Sequence, residues 1–149
     1  MKTPFALVLT FAVSIGTGFA QTGTSEETAI RAVIQNFADS RNAHDGTAAA
    51  KLYTSDGRYI RADAITVKGT IPLRSYWSTQ QGKADREIKS IEFVSSNIAV
   101  VRASVAFDFT LGTLTEAYVL VKNADKWEIQ LHQAAVAKNR FGVEVLNNN

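Results

Sequence analysis

The chain has 149 residues, of which 46% are hydrophobic, with a formal net charge of +2 and no cysteine. Without cysteine it can form neither disulfides nor thiolate metal sites, and it has no thiol nucleophile. The chain has two histidines, which disfavours a multi-histidine metal site, and its near balance of charge argues against a nucleic-acid or anionic-membrane partner. We therefore predict no cofactor, no metal and no nucleic-acid partner.

The first twenty residues have the pattern of a cleavable secretory signal. Lys2 precedes about twelve apolar residues, and the small residues Gly18 and Ala20 occupy the −3 and −1 positions of a cleavage site. Such a stretch is shorter than the roughly 20 residues that span a bilayer. No cysteine follows the cut, so a lipoprotein anchor is excluded. The expected product is periplasmic or secreted and carries no membrane anchor.

Removing 20 of the 149 residues leaves 129, enough for one domain with a hydrophobic core. We predict a signal peptide over residues 1–20, one domain over residues 21–138 and a loosely ordered tail over residues 139–149. Loss of Lys2 leaves fifteen basic and fourteen acidic residues in this mature chain.

Helical patterns dominate the first half of the sequence. Thr24 and Glu27 have capping-box spacing, and apolar residues then recur at helical intervals, which predicts a helix over residues 25–43. Asp45 predicts the cap of a second helix over residues 48–53, ended by Asp56 and Gly57. Short strands are expected over residues 58–62 and 65–68, and a third helix after Gly69.

Four longer strands are predicted in the second half, over residues 86–95, 98–111, 113–122 and 126–137. Alternate residues of a strand point to opposite faces of a sheet. The second of these strands therefore has a wholly apolar face, which should meet the helices: Ala99, Val101, Ala103, Val105, Phe107 and Phe109. The same alternation places Trp127, Ile129, Leu131 and Gln133 on the inward face of the last strand, and His132 outward unless a bulge precedes it. Glu116 and Asp108 are expected on the outer face.

Three segments of the chain resemble the NTF2-like superfamily, and within it the small exported SnoaL-like and DUF4440 domains. They are residues 51–56, the Gly69, Leu73, Tyr76 and Trp77 series, and residues 118–122 followed by 127–129. The resemblance covers residues 26–138 and implies an α+β cone, with N-terminal helices packed on a curved antiparallel sheet. It also implies a homodimer formed through the outer sheet face. That face would consist of Val100, Ser104, Ala106, Tyr118 and Leu120, although such a face is also stable in solvent.

Steroid isomerases of this superfamily use a tyrosine on the first helix and an aspartate on the first strand. Alignment on Leu52 and Tyr53 places Phe37 and Arg61 at those two positions. A phenyl ring cannot donate to an oxyanion, and a guanidinium cannot act as a base, so this reaction is disfavoured.

Arg61 is the most informative residue in this alignment, because an inward guanidinium requires an anionic partner. The partner is either a ligand carboxylate or one of Asp39, Asp56 and Asp63. Gln133 also requires a hydrogen-bond partner on the inward face, supplied by a ligand or by the backbone.

Two classes of function are consistent with these residues. The first is an exported domain that binds a small apolar or amphipathic acidic ligand in a mostly apolar pocket, lined by Phe37, Tyr59, Arg61, Trp77 and Gln133. The second is a non-catalytic dimerisation or partner-binding module. An isomerase, lyase or hydrolase would need an acid or base in the pocket, for which Asp63 is the weak candidate, followed by Tyr53 and Asp39.

Overall fold

The computed structural model describes residues 18–108 and 113–136, with side chains described from residue 24 onward. Within these ranges lie three helices: α1 (Gly18–Asn42), α2 (Gly46–Ala50) and α3 (Thr70–Ser78). Six strands accompany them: β1 (Tyr53–Ile60), β2 (Thr66–Lys68), β3 (Ala84–Ser95), β4 (Ile98–Phe107), β5 (Thr113–Asn123) and β6 (Lys126–Val136). The predicted α+β class is confirmed.

The strands form one curved, unclosed sheet in the order β2-β1-β6-β5-β4-β3. Strands β3 to β6 are an antiparallel meander, as the alternating sequence pattern predicts. The first hairpin joins the meander through β1 and β6, which pair in parallel. The helices cover one face of this sheet, which we call the inner face.

Helix α1 begins earlier than its capping-box pattern predicts, at Gly18 rather than near Ser25. Its apolar stripe, which includes Ile30, Ile34 and Phe37, is buried against the sheet. Glu26 ties the same helix to the far strands, since it accepts hydrogen bonds from Trp127 Nε1 at 2.6 Å and Lys122 Nζ at 2.7 Å. Apolar packing and the two hydrogen bonds of Glu26 therefore hold α1 across the inner face.

The segment around Tyr53 corrects the prediction of a second helix over residues 48–53. Helix α2 is shorter and ends at Ala50, and β1 already begins at Tyr53. Gly57 lies within this strand where its register against β6 shifts, and a Cβ there would lie 2.9 Å from the Ile129 carbonyl oxygen. The glycine therefore permits a close approach of β1 to β6 within the sheet, and it does not end a helix.

The inner face of β4 is apolar as its alternation predicts. Ala99, Val101, Ala103 and Val105 are each at most 1% exposed. Phe109 and the predicted tail over residues 139–149 lie outside the described residues. This face and α1 form the apolar core. The inner positions of β3, β5 and β6 beside it include polar side chains, which are described below.

Candidate functional site

Polar and ionisable side chains occupy the inner face of the sheet beside the apolar core. Arg86 comes from β3, Glu116 and Tyr118 from β5, His132 from β6, and Tyr53 from the start of β1. Glu116 is 2% exposed, Tyr53 is 4% exposed, and Tyr118 and His132 are fully buried. The Arg86 side chain is 3% exposed. We call these five residues the inner polar cluster.

A β-bulge in β6 gives His132 its inward direction. Ile129 pairs with Leu120 and Leu131 pairs with Val119, so Gln130 is an extra residue between two consecutive positions of β5. The bulge reverses the alternation after Ile129, which places His132 and Ala134 inward and Gln133 on the exposed face. The prediction that Leu131 and Gln133 face the interior is therefore wrong, and His132 faces inward, the orientation expected if a bulge precedes it.

The register of β5 corrects a second prediction. Tyr118 lies opposite Val101, Glu116 opposite Ala103 and Leu120 opposite Ala99. Because directly paired residues share a face, all three point inward, although Tyr118 and Leu120 were expected on the dimer face and Glu116 on the solvated face. The alternation of each strand can be read from the sequence, but strand pairing decides which face is inner.

Arg86 and Glu116 form a bidentate ion pair inside the domain. Arg86 Nε donates to Glu116 Oε2 at 2.9 Å, and Arg86 Nη2 donates to Oε1 at 3.2 Å. The hydroxyl of Tyr118 donates to the same carboxylate. Such charge-assisted bonds are needed here because a buried charge without partners is strongly disfavoured.

His132 connects this ion pair to Tyr53. The Tyr53 hydroxyl lies 2.9 Å from Nδ1, and Nε2 lies 3.4 Å from Glu116 Oε1 without forming a well-aligned hydrogen bond. Since the carboxylate can only accept, the consistent tautomer carries its proton on Nε2 and accepts from Tyr53 at Nδ1. Tyr53, His132 and Glu116 thus lie in sequence inside the core, with a hydrogen bond between the first two and a close contact between the last two.

The ionisation of these groups depends on burial and on their mutual charges. Burial lowers the pKa of His132 more than the neighbouring Glu116 carboxylate raises it, so the imidazole is neutral at neutral pH. Burial opposes ionisation of Glu116, but the charge that His132 carries when protonated and the Arg86 guanidinium bring the pKa of this carboxyl below the ordinary value. Burial raises the pKa of Tyr53 and Tyr118, so both phenols stay protonated.

Three of the predicted pocket residues meet around His132. The imidazole centroid lies 5.2 Å from the Phe37 ring, 4.6 Å from the Tyr59 ring and 5.8 Å from the Trp77 ring. These side chains are at most 6% exposed. Phe37, Tyr59 and Trp77 thus form an aromatic core that encloses the inner polar cluster.

The other two predicted pocket residues, Arg61 and Gln133, meet elsewhere. They line a second groove of about 260 Å³ where β1 and β6 end. Arg61 pairs with Asp63 at 2.7 Å, one of the three partners that the sequence suggested, and its guanidinium lies 5.8 Å from the Tyr76 ring centroid. Asp63, the weak catalytic candidate, is half-exposed in the turn beside it and accepts a hydrogen bond from the Ile65 amide at 3.3 Å.

The larger open space is a groove of about 480 Å³ between α1 and β3, which we call the α1–β3 groove. Ile34 and Ala38 from α1, with Ile88 and Arg86 from β3, form its floor, and Thr28, Arg31, Ala32 and Gln35 form its helical rim. Arg86 is the residue that the groove shares with the inner polar cluster. Sequence reasoning missed it, because nothing in the chain marks Arg86 as inward until its pairing with Val105 is known.

Within the described ranges, no group of three or more histidine and acidic side chains is arranged to hold a metal ion. None of the helices described is both long enough and apolar enough to cross a membrane.

Comparison with known proteins identifies the fold. No protein-family model matches the sequence, and a search of curated proteins found no similar sequence. Solved structures do match. An NTF2-like protein from Shewanella baltica superimposes with a TM-score of 0.64 at 18% identity, over 78% of this chain and 97% of that one.

Two further structures carry names taken from enzymes. A ketosteroid isomerase-like protein from Erwinia carotovora atroseptica matches with a TM-score of 0.63 at 19% identity, over 75% of this chain and 96% of that one. A scytalone dehydratase-like protein from Novosphingobium aromaticivorans matches with a TM-score of 0.66 at 16% identity, over 87% and 99% of the two chains. At these identities the likeness establishes the architecture and leaves the chemistry open. The chain therefore has the NTF2-like fold.

Proposed function

We propose that the protein is an exported domain that binds a small apolar or amphipathic molecule in the α1–β3 groove. The observation that carries this proposal is the groove itself, about 480 Å³ in volume, with an apolar floor and one buried cation. Small-molecule sites are typically clefts of about 300–1,000 Å³ with mostly apolar walls and a few placed polar groups. The proposal concerns binding and assigns no reaction.

Two features favour the α1–β3 groove over the sites expected from sequence. The aromatic side chains expected to line a pocket pack against one another and around His132, so they fill the interior. The second groove, at about 260 Å³, falls below the usual size of a ligand site, and its Arg61 is already paired with Asp63. The α1–β3 groove has the required volume and adjoins the inner polar cluster.

Native mass spectrometry of the exported protein, purified gently, tests this proposal. We expect the wild-type protein to carry a bound small molecule. Ala32→Trp should lose it, because Ala32 is an exposed residue on the rim and an indole there fills the groove. Ala62→Trp, which fills the second groove, is the matched control and should retain the ligand. Equal occupancy of the two variants would refute the α1–β3 site.

Export is tested separately by expressing the full chain in a bacterial host and sequencing the N-terminus of the extracytoplasmic product. We expect that product to begin at Gln21, directly after the small residues at the cleavage site. Retention of Met1 in a cytoplasmic product would refute export while leaving ligand binding to stand.

The outer face of the sheet supports a second proposal, that two copies of the chain pair through it. Val100, Val119 and Leu131 lie directly across from one another on β4, β5 and β6, each half-buried. Together they form an apolar row at the centre of this face. Tyr118 and Leu120, which were expected in the interface, are buried inside the protomer and take no part.

Light scattering after gel filtration tests this pairing. We expect the wild-type protein to have the mass of a dimer. Val119→Lys should have the mass of a monomer, because it places a charge at the centre of the apolar row. Ser75→Lys, on the exposed surface of α3, is the control and should remain dimeric. A wild-type monomer would refute the proposal.

A further inference from the structure

We propose that the α1–β3 groove binds a carboxylate, with Arg86 as the residue that recognises it. This inference rests on the proposed binding function and names the chemical class of the ligand. Arg86 is the single charged side chain in the floor of the groove, and it is 3% exposed. Its position differs from that of Arg61, which the sequence suggested as the anion anchor.

The guanidinium of Arg86 lies 5.0 Å from the Phe37 ring centroid, and one of its nitrogens makes no hydrogen bond within the described residues. Nε and Nη2 both donate to Glu116, whereas Nη1 is buried and has no hydrogen-bond partner in the described part of the chain. Buried polar groups are nearly always hydrogen-bonded, and a charged donor left unpaired is costly. An oxygen of a ligand beside Nη1 would complete the hydrogen bonding of this side chain.

Charge balance inside the domain gives a second, independent reason. Arg41 and Arg86 are both buried and close enough that the charge of Arg86, together with burial, lowers the pKa of Arg41. Opposite them, Glu116 is the buried carboxylate among the described residues, and His132 is neutral. Two buried cations and one buried anion leave an excess positive charge, which an anionic ligand would neutralise.

The other charged groups near the groove are already paired. Arg31 on the rim binds Glu27 at 2.7 Å, and both side chains are about half-exposed. Gln35 donates to Asp39 at 2.9 Å. Arg41 donates to the carbonyl oxygens of Gly82 and Gln81. Among these cations, Arg86 is thus the one with a buried donor that makes no hydrogen bond in the described part of the chain.

The residues around Arg86 also define the rest of the ligand. Nε and Nη2 of Arg86 are taken by Glu116, so Nη1 is the donor that can give one charge-assisted hydrogen bond to a carboxylate oxygen. Ile34, Ala38 and Ile88 beside it offer apolar contact to the body of the molecule. The site therefore suits a compact molecule with an aryl or alkyl body and one carboxylate.

Isothermal titration with a matched pair of probes tests the inference. 4-Phenylbutyrate and its neutral amide, 4-phenylbutanamide, share a body and differ in charge. We expect the mature wild-type protein to bind the carboxylate at least about tenfold more tightly than the amide. Addition of the carboxylate should also shift the side-chain nitrogen resonances of Arg86 in an NMR spectrum.

Three variants test whether Arg86 is responsible for the preference for the carboxylate over the amide. Arg86→Met combined with Glu116→Gln removes both buried charges together, and should bind the two probes equally. Arg86→Lys keeps the charge but removes the Nη1 donor, and it should show a reduced preference for the carboxylate. It provides a second measurement if the double variant does not fold. Arg102→Met, which removes an exposed arginine on the outer face, should keep the full preference.

The outcomes separate the two proposals. If the wild-type protein binds both probes equally and Ala32→Trp abolishes both, the groove is a binding site and the carboxylate inference fails. If the preference for the carboxylate survives in the Arg86→Met, Glu116→Gln variant, Arg86 is not the recognising residue and the inference again fails. If neither probe binds the wild-type protein at millimolar concentration, the groove proposal and the carboxylate site are both refuted.

Discussion

Two arginine–glutamate pairs connect strands of the same sheet, on opposite faces. Arg86 and Glu116 lie on the inner face, with both side chains 3% exposed. Arg102 and Glu92 lie on the outer face, with side chains 54% and 56% exposed. The residue types are identical, so any difference between the pairs arises from their surroundings.

The inner pair exchanges water for protein partners, while the outer pair keeps its hydration. Removing two charges from water is unfavourable, and their attraction in the interior offsets this only when every polar atom is well placed. The outer pair contributes little to the free energy of unfolding, since solvent screens its charges and they remain hydrated. A buried pair with an unpartnered Nη1 is therefore weak evidence for stabilisation, and it is consistent with the binding role proposed above.

The largest expected effect comes from breaking the inner pair on one side. Glu116→Gln should lower the free energy of unfolding by about 3–5 kcal/mol, because it leaves the Arg86 charge buried without an anion. Glu92→Gln on the outer face should change it by less than about 1 kcal/mol. Urea denaturation of the two variants measures the contrast, and equal losses would contradict it.

Neutralising both members of the inner pair sharpens this prediction. The Arg86→Met, Glu116→Gln variant should be more stable than Glu116→Gln alone, because it no longer contains an isolated buried charge. A double variant less stable than the single one would mean that the ion pair itself is a main source of stability.

The next largest effect is a pH dependence of the free energy of unfolding, which arises from the buried groups of the inner face. Burial lowers the pKa of His132 in the folded state, so the unfolded chain binds a proton more readily as the pH falls. The stabilisation is thus complete above the unfolded pKa of about 6.5 and decreases below it, by up to about 1.4 kcal/mol per pH unit. Glu116, whose folded pKa is also lowered, adds a further loss below about pH 4.5.

Urea denaturation between pH 8 and pH 5 measures this effect. His132→Gln should flatten the dependence in that range, because it removes the titrating imidazole, while Arg102→Met should leave the wild-type slope. A wild-type stability that is constant from pH 8 to pH 5 would refute the assignment of a neutral, buried His132.

The hydrogen bond between Tyr53 and His132 gives the smallest effect of the series. Tyr53→Phe removes the hydroxyl that lies 2.9 Å from Nδ1 and leaves the ring packing unchanged. We expect a loss of about 1 kcal/mol in unfolding free energy, typical of one buried hydrogen bond. The imidazole resonances of His132 should shift in the variant, and an unchanged spectrum would mean that the bond is absent in solution.

Particular residues show how far sequence reasoning reached. The inward face of β4 was correctly predicted because its alternation is uninterrupted from Ala99 to Val105. His132 was placed on the wrong face because an extra residue at Gln130 shifts the alternation, and a bulge of this kind has no reliable signature in the chain. Gly57 was interpreted as a turn because a glycine after an aspartate is typical of one, whereas here it lies inside a strand.

By itself, the sequence determined the α+β class and the antiparallel meander, because these depend on repeated local patterns of apolar residues, while its resemblance to NTF2-like domains implied the cone of helices on the sheet. Tertiary structure alone decided that Arg86, Glu116, Tyr118 and His132 meet inside the domain and that Arg61 and Gln133 do not join them. That outcome depends on strand register, which is set by cooperative packing across the whole sheet, and a shift of one residue reverses the direction of every later side chain in the strand.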